Sequence, residues 1–312
     1  MEFHFLSSFV AILRESQVIF VKNRNLMASI SLFILLLHSS LLLCNFFSFK
    51  PLFKDFITQE SLYLQLTSPG SPEYTTILLA MAKDVRLFMG LAWFFILAFS
   101  IVSLFSSTAT ILASAIIYGE RSLCFKDLLL TGLKSWKRTL TTWFYIALFD
   151  IGFIFFAFFS FLPLVVPIKM TISNYLILII VLSFYAYLGV YWNLSIVIAV
   201  LEEKCGLEAI GKATQLAMGM KLQGFLLNVL FGILGFLLYY SWSLVSVKSE
   251  AFILLMALLI SNIGCLIKMQ AWMAFTVFYH LCKQSHGEEI ELQGALEYTK
   301  APTQPLITAE IP

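Results

Sequence analysis

Six long runs of this chain carry almost no charge, and that constrains the fold more than any motif does. They are Leu26 to Phe47, Leu87 to Ile117, Trp143 to Val166, Tyr175 to Leu201, Phe225 to Val247 and Ala251 to Leu281. About 20 apolar residues rising ~1.5 Å each cross a hydrocarbon layer of roughly 30 Å, so every run is long enough to span a bilayer. Lipid offers backbone groups no hydrogen-bond partner, which makes a helix the only form available to each run. The expected fold class is therefore all-α, a polytopic membrane bundle of six transmembrane helices. Composition agrees, with 60% hydrophobic and 12% charged residues where soluble domains hold about half and about a quarter.

The expected organisation is a cytosolic amphipathic segment over 1–25, the membrane domain over 26–281 with an outer loop at 48–86, and a cytosolic acidic tail over 282–312. The segments between the runs are too short to hold an aqueous core with an active site. A net charge of +2, from 20 basic and 18 acidic residues, excludes nucleic acid as a partner on bulk electrostatics. The expected partner is the bilayer itself, with membrane or cytosolic proteins beside it.

An even number of spans puts both termini on one side. Thirteen Lys and Arg lie on the side of the termini and six on the other, so the bias of basic residues toward the cytosol makes both ends cytosolic. No cleaved leader is expected, because Arg14 and Glu15 interrupt the first apolar stretch; the first span reads as a signal anchor. Of five cysteines only Cys44 falls near the outer face, which leaves no intrachain lumenal disulfide. Cys124, Cys205 and Cys282 read as free thiols near the cytosolic surface, with palmitoylation the alternative. The sequon Asn193-Leu194-Ser195 lies inside the fourth span, beyond reach of a transferase, and Thr67 to Pro72 is a turn signal in the outer loop.

The segments before spans one, three and five share a plan. Ala11 to Val18 aligns without gaps on Ala209 to Leu216, each followed by a basic residue, Lys22 or Lys221, before the chain enters the membrane. Phe125 to Arg138 follows the same pattern with less identity. Apolar residues at three- and four-residue spacing, flanked by cations, suit a helix lying in the headgroup layer. The expected architecture is thus three parallel copies of an interfacial helix followed by a transmembrane hairpin. Within it, Lys126, Lys134, Lys137 and Arg138 are the candidate contacts for anionic lipid headgroups.

Two ionisable residues fall inside spans, Asp150 in the third and Lys268 in the sixth. Alone near mid-bilayer each costs about 2.5 to 3.5 kcal/mol on the insertion scale, so the two form a candidate intramembrane pair. A relay for a proton or substrate is the functional reading; a structural ion pair, or a Lys268 that snorkels, is the plain one. His38, Asn193, Asn228, Asn262 and Gln270 suit hydrogen bonds between helices. No metal, nucleophile or phosphate-binding motif is present, and no cofactor is expected. His280, Cys282 and His286 are spaced suggestively but do not make a metal motif.

Three stretches carry a family likeness. They are Tyr118 to Glu120 with Ser122 to Leu129 and Trp136 to Arg138; Val200 to Ile210; and Val277 to Tyr279 with Cys282, Lys283 and His286 to Glu291. Together with the span pattern they resemble a plant family of uncharacterised multi-pass membrane proteins, some labelled as binding a polyadenylate-binding protein. A looser likeness links the hairpin plan to bacterial membrane domains found beside glycerophosphodiester phosphodiesterases, whose catalytic domain this chain lacks. The plant resemblance implies a plasma-membrane or endomembrane location and no catalytic residue. The expected function is accordingly non-enzymatic: membrane organisation, trafficking or signalling through lipid-binding interfacial helices. The rival is a transporter or channel with a polar path near Asp150 and Lys268.

Overall fold

A computed structural model describes residues 2–65, 72–119, 125–165, 172–244 and 249–287. These form α1 (Glu2–Lys22), α2 (Arg24–Gln65), α3 (Pro72–Tyr118), α4 (Phe125–Val165), α5 (Ile172–Leu201), α6 (Gly206–Leu216), α7 (Lys221–Ser243) and α8 (Glu250–Ser285). The protein is an all-α bundle, and six of these helices are long and apolar enough to cross a membrane: α2, α3, α4, α5, α7 and α8.

The helices outrun the spans. With 42 and 47 residues, α2 and α3 measure about 63 and 70 Å. Most of the expected outer loop is therefore helix. The helix also continues through Pro51, which forgoes one backbone hydrogen bond without ending it. The turn signal at Thr67 to Ser71 and the acidic tail from Glu288 lie outside the described residues.

Two of the three expected interfacial helices stand apart as α1 and α6, and the third does not. Phe125 to Arg138 is the first third of one continuous helix, α4. The difference is local. After α1 the chain breaks at Asn23, whose side-chain oxygen accepts from Leu26 N at 3.3 Å and starts α2. After α6 it turns through residues 217–220. Within α4 the only candidate breaker in this stretch, Gly132, is buried with Leu112 and Thr108 beside it, and the helix runs on.

All three segments nonetheless bury a stripe at helical spacing: Ile12, Ser16 and Ile19 on α1; Leu128, Gly132, Ser135 and Thr139 on α4; Ala209, Ala213 and Leu216 on α6.

The chain divides into two compact units. The first comprises residues 1–27, 108–233 and 270–312. Its core is drawn from the end of α3 (Ile111, Ala115), the second half of α5 (Leu194, Ile198), α6 and the second half of α8 (Phe275, Phe278). Gln270 Nε2 on α8 donates to Ser16 Oγ at 2.8 Å and ties α1 to this core. Buried hydroxyls such as Ser114, Ser135 and Thr139 donate to carbonyls one turn back, so they leave no unmet donor.

Two glycines set the close approaches of this unit. Gly206 opens α6 at φ +59°, a left-handed value that suits glycine, and its N–H donates to Thr142 Oγ1 of α4 at 2.9 Å. A Cβ there would meet the Tyr145 ring at 3.0 Å. Gly224 brings α7 against α5 and α8, where a Cβ would lie 2.5 Å from Val190 Cγ1 and 3.0 Å from Phe278 Cζ. Near that crossing Asn193 Nδ2 donates to Asn228 Oδ1 at 2.8 Å, and Asn228 Nδ2 to the Ala186 carbonyl at 2.9 Å. Small residues at a crossing, with amides bonded across it, are the usual means of joining helices in lipid.

The second unit comprises residues 28–107 and 234–269. Ile30, Ile34, Phe95 and Cys265 are buried within it. Phe49 stacks edge-on to Phe88 at 4.9 Å between ring centroids, Phe33 to Phe105 at 6.3 Å, and Ser39 Oγ donates to Asn262 Oδ1 at 3.0 Å. Lys50 Nζ bonds Glu250 Oε2 at 2.5 Å and fixes the start of α8 beside α2.

Candidate functional site

The cationic residues singled out from sequence share one helix. Lys137 and Arg138 stand three and four residues after Lys134 along α4; Lys126 stands in its first turn, its side chain outside the described residues. At about 100° per residue the three described cations occupy one flank of the buried stripe. The opposite flank carries Leu133, Trp136 and Leu140, 54%, 51% and 37% exposed. The segment thus has three faces: one packed on protein, one apolar and open, one basic. A helix at a membrane surface requires that arrangement, because its open apolar face can enter the acyl boundary while the cations stay among headgroups.

The two intramembrane ionisable residues fall in different units, and each has its own surroundings. Asp150 on α4 is hydrogen-bonded with Tyr185 of α5, while its Oδ1 is buried with no hydrogen-bond partner among the described residues. Lys268 is exposed on α8, within electrostatic range of His38 and Cys265.

The most strongly charged cluster in the first unit was not among the sequence candidates. Glu202, one residue past the end of α5, accepts from Tyr279 Oη at 2.6 Å on Oε1. Lys283 Nζ lies 3.3 Å from that same oxygen, and Lys212 Nζ lies 3.0 Å from Oε2. The side chains are 11% exposed for Glu202, 6% for Lys283 and 18% for Lys212, so this cluster is largely withdrawn from water. Burial alone would push the Glu202 carboxyl up; the Tyr279 and Lys212 hydrogen bonds and the two ammonium charges outweigh it and hold the carboxyl below its usual range. Lys283 also lies 5.7 Å over the Tyr279 ring. The signal available in sequence was the four-residue spacing of Tyr279 and Lys283, which puts both on one face of α8. One carboxylate holding two lysines and a phenol joins α5, α6 and α8; chemically it is a fastening.

Beside it the His280 ring stacks on Tyr118 at 4.6 Å, and both its nitrogens are buried without hydrogen-bond partners among the described residues. Cys282 is fully buried with its Sγ 3.9 Å from Met220 Sδ, which withdraws it from acylation, whereas Cys205 is exposed. Cys124 lies outside the described residues. Among the described residues no three His, Cys, Asp or Glu side chains converge as metal ligands would.

Six helices long and apolar enough to cross a bilayer define a multi-pass α-helical membrane protein. Over residues 1–307 the chain matches the family model described as a domain of unknown function, DUF8558, and it belongs to that family. No curated protein and no solved structure matches it.

Proposed function

We propose that the protein is a non-enzymatic membrane component whose basic surface on α4 binds anionic lipid headgroups of the cytosolic leaflet, in membrane organisation, trafficking or signalling. What supports this is the division of one helix into a buried stripe, an open apolar flank and a cationic flank bearing Lys134, Lys137 and Arg138. Each basic residue near an anionic surface contributes about 1 kcal/mol, so three together give a preference of about a hundredfold before screening. The excess of basic residues on one side of the spans supports a cytosolic position for this end and both termini.

The test uses the full chain in proteoliposomes with spin-labelled lipids. Wild type is expected to immobilise phosphatidylserine in preference to phosphatidylcholine, and Lys134→Glu/Lys137→Glu/Arg138→Glu to abolish that preference. An unchanged selectivity in the triple variant would remove the reading.

A second reading, a solute or proton path along α4 and α5, draws on the unpartnered Oδ1 of Asp150 beside Tyr185. A carboxylate oxygen left unmet within a span is expensive and marks a site that a proton or cation could occupy. If so, reconstituted protein carries a current or flux that Asp150→Asn abolishes; the lipid reading expects none in either protein.

A further inference from the structure

In the second unit α2 and the first turn of α8 enclose a groove of about 540 Å³. Phe49, Phe53, Ile57 and Ile253 make its floor, and Lys50, Lys54 and Glu250 stand at its edge. Phe53 and Ile57 remain 58% and 51% exposed, so the floor is open and apolar. Such a surface is filled by whatever apolar material surrounds it.

The charges at the rim say what sort of molecule that is. Glu250 neutralises Lys50 through their ion pair. Lys54, one helical turn further along α2, is exposed and has no ion-pair partner among the described residues. The rim therefore keeps one positive charge above an oily slot. The charge pattern sets the level: the uncharged run of α2 ends at Phe47, just before Lys50, and α8 begins at Glu250, so on the expected span bounds the groove lies near where hydrocarbon gives way to headgroups. Lys54 lies 30 residues, about 45 Å, along the helix from Arg24, more than the thickness of a hydrocarbon core.

We propose that this groove binds one phospholipid of the surrounding bilayer, an acyl chain lying against Phe49, Phe53, Ile57 and Ile253 and an anionic phosphate headgroup paired with Lys54. This site shares no residue with the α4 surface and does not rest on its function.

The test is photolabelling of the full chain in proteoliposomes containing phosphatidylglycerol or phosphatidylcholine with a diazirine near the glycerol end of the acyl chain, followed by peptide mapping. Labelling is expected to concentrate on residues 49–57 and on Ile253, with phosphatidylglycerol favoured. Lys54→Ala lies on an exposed helix surface and leaves the fold intact; it is expected to lower that preference about fivefold, the equivalent of ~1 kcal/mol. Ile253→Trp, filling the slot, is expected to reduce labelling by both lipids, with its thermal unfolding compared to wild type and Ile253→Leu as the conservative check. The triple reversal on α4 is expected to leave groove labelling unchanged. Equal labelling by the two lipids, labelling unaffected by Ile253→Trp in a folded protein, or a copurifying polypeptide crosslinked at 49–57 in place of lipid would each overturn the proposal.

Discussion

Glu202→Ala is expected to be among the most damaging single substitutions in the described chain, lowering stability by about 3 to 5 kcal/mol, the usual cost of breaking a buried charge cluster from one side. Lys283 and Lys212 both lose the carboxylate they share, and Tyr279 Oη loses its acceptor at 2.6 Å. The measurement is thermal unfolding of the detergent-purified protein, followed by a thiol-reactive dye at buried Cys265 and Cys282. Glu202→Leu/Lys283→Met is expected to be milder than Glu202→Ala, because it removes the more buried of the two stranded ammonium groups and leaves only Lys212, the more exposed one, without the carboxylate. A double variant as unstable as the single one would show that the cluster is not the fastening described.

The same cluster fixes an acid dependence. Because the folded carboxyl titrates below its ordinary value of 4.5, its contribution is complete above that value and is lost as pH falls through the lower, folded one. Wild type should therefore lose stability below about pH 4.5 more steeply than Glu202→Gln, which has no proton to take up there. Parallel profiles would contradict the electrostatic account of Glu202.

Gly224→Leu is the second large effect expected. Even an alanine there places its Cβ 2.5 Å from Val190 Cγ1 and 3.0 Å from the Phe278 ring, closer than such atoms approach. Val190 is β-branched on a helix and cannot swing aside, so overpacking is expected to cost about 1 to 3 kcal/mol for alanine and more for leucine. Gly232, on the same helix with nothing within 4 Å of an added Cβ, is the control, and Gly232→Ala is expected to be neutral or mildly stabilising. The decisive comparison is Gly224→Ala with Val190→Ala added, which should recover part of the loss. No recovery, or an alanine at 224 as harmless as one at 232, would mean α5 and α7 do not cross at this glycine.

The fold class was readable because the spanning requirement is a matter of length and charge, and both are local properties of a sequence. The boundaries were less so. The first span was expected to end at Phe47 and give way to an outer loop from 48, yet the helix runs on through Pro51, since one forgone backbone bond does not outweigh the bonds on either side. Phe125 to Arg138 resembled its two counterparts in charge and apolar spacing, but joins its span directly for want of a break like that at Asn23. The basic face of α4 was legible from spacing alone. The Glu202 cluster was not, because its members come from positions 202, 212, 279 and 283, and only the folded chain brings them to one carboxylate. Asp150 was read as one half of a candidate pair with Lys268; its hydrogen bond with Tyr185 depends on the register of α4 against α5, which no local pattern encodes.

The hairpin of α4 and α5 is packed very unevenly along its length. Toward its α6 end α5 is almost entirely buried, from Val190 to Leu201, whereas Phe155, Phe156, Phe158 and Phe159 of α4 and Ile179, Ile180 and Leu182 of α5 face outward. Among the described residues those far turns have few neighbours, so the bilayer itself supplies the missing half of their scaffold. Membrane thickness and acyl composition then become structural variables of this protein, acting on one stretch of two helices while leaving the remainder untouched.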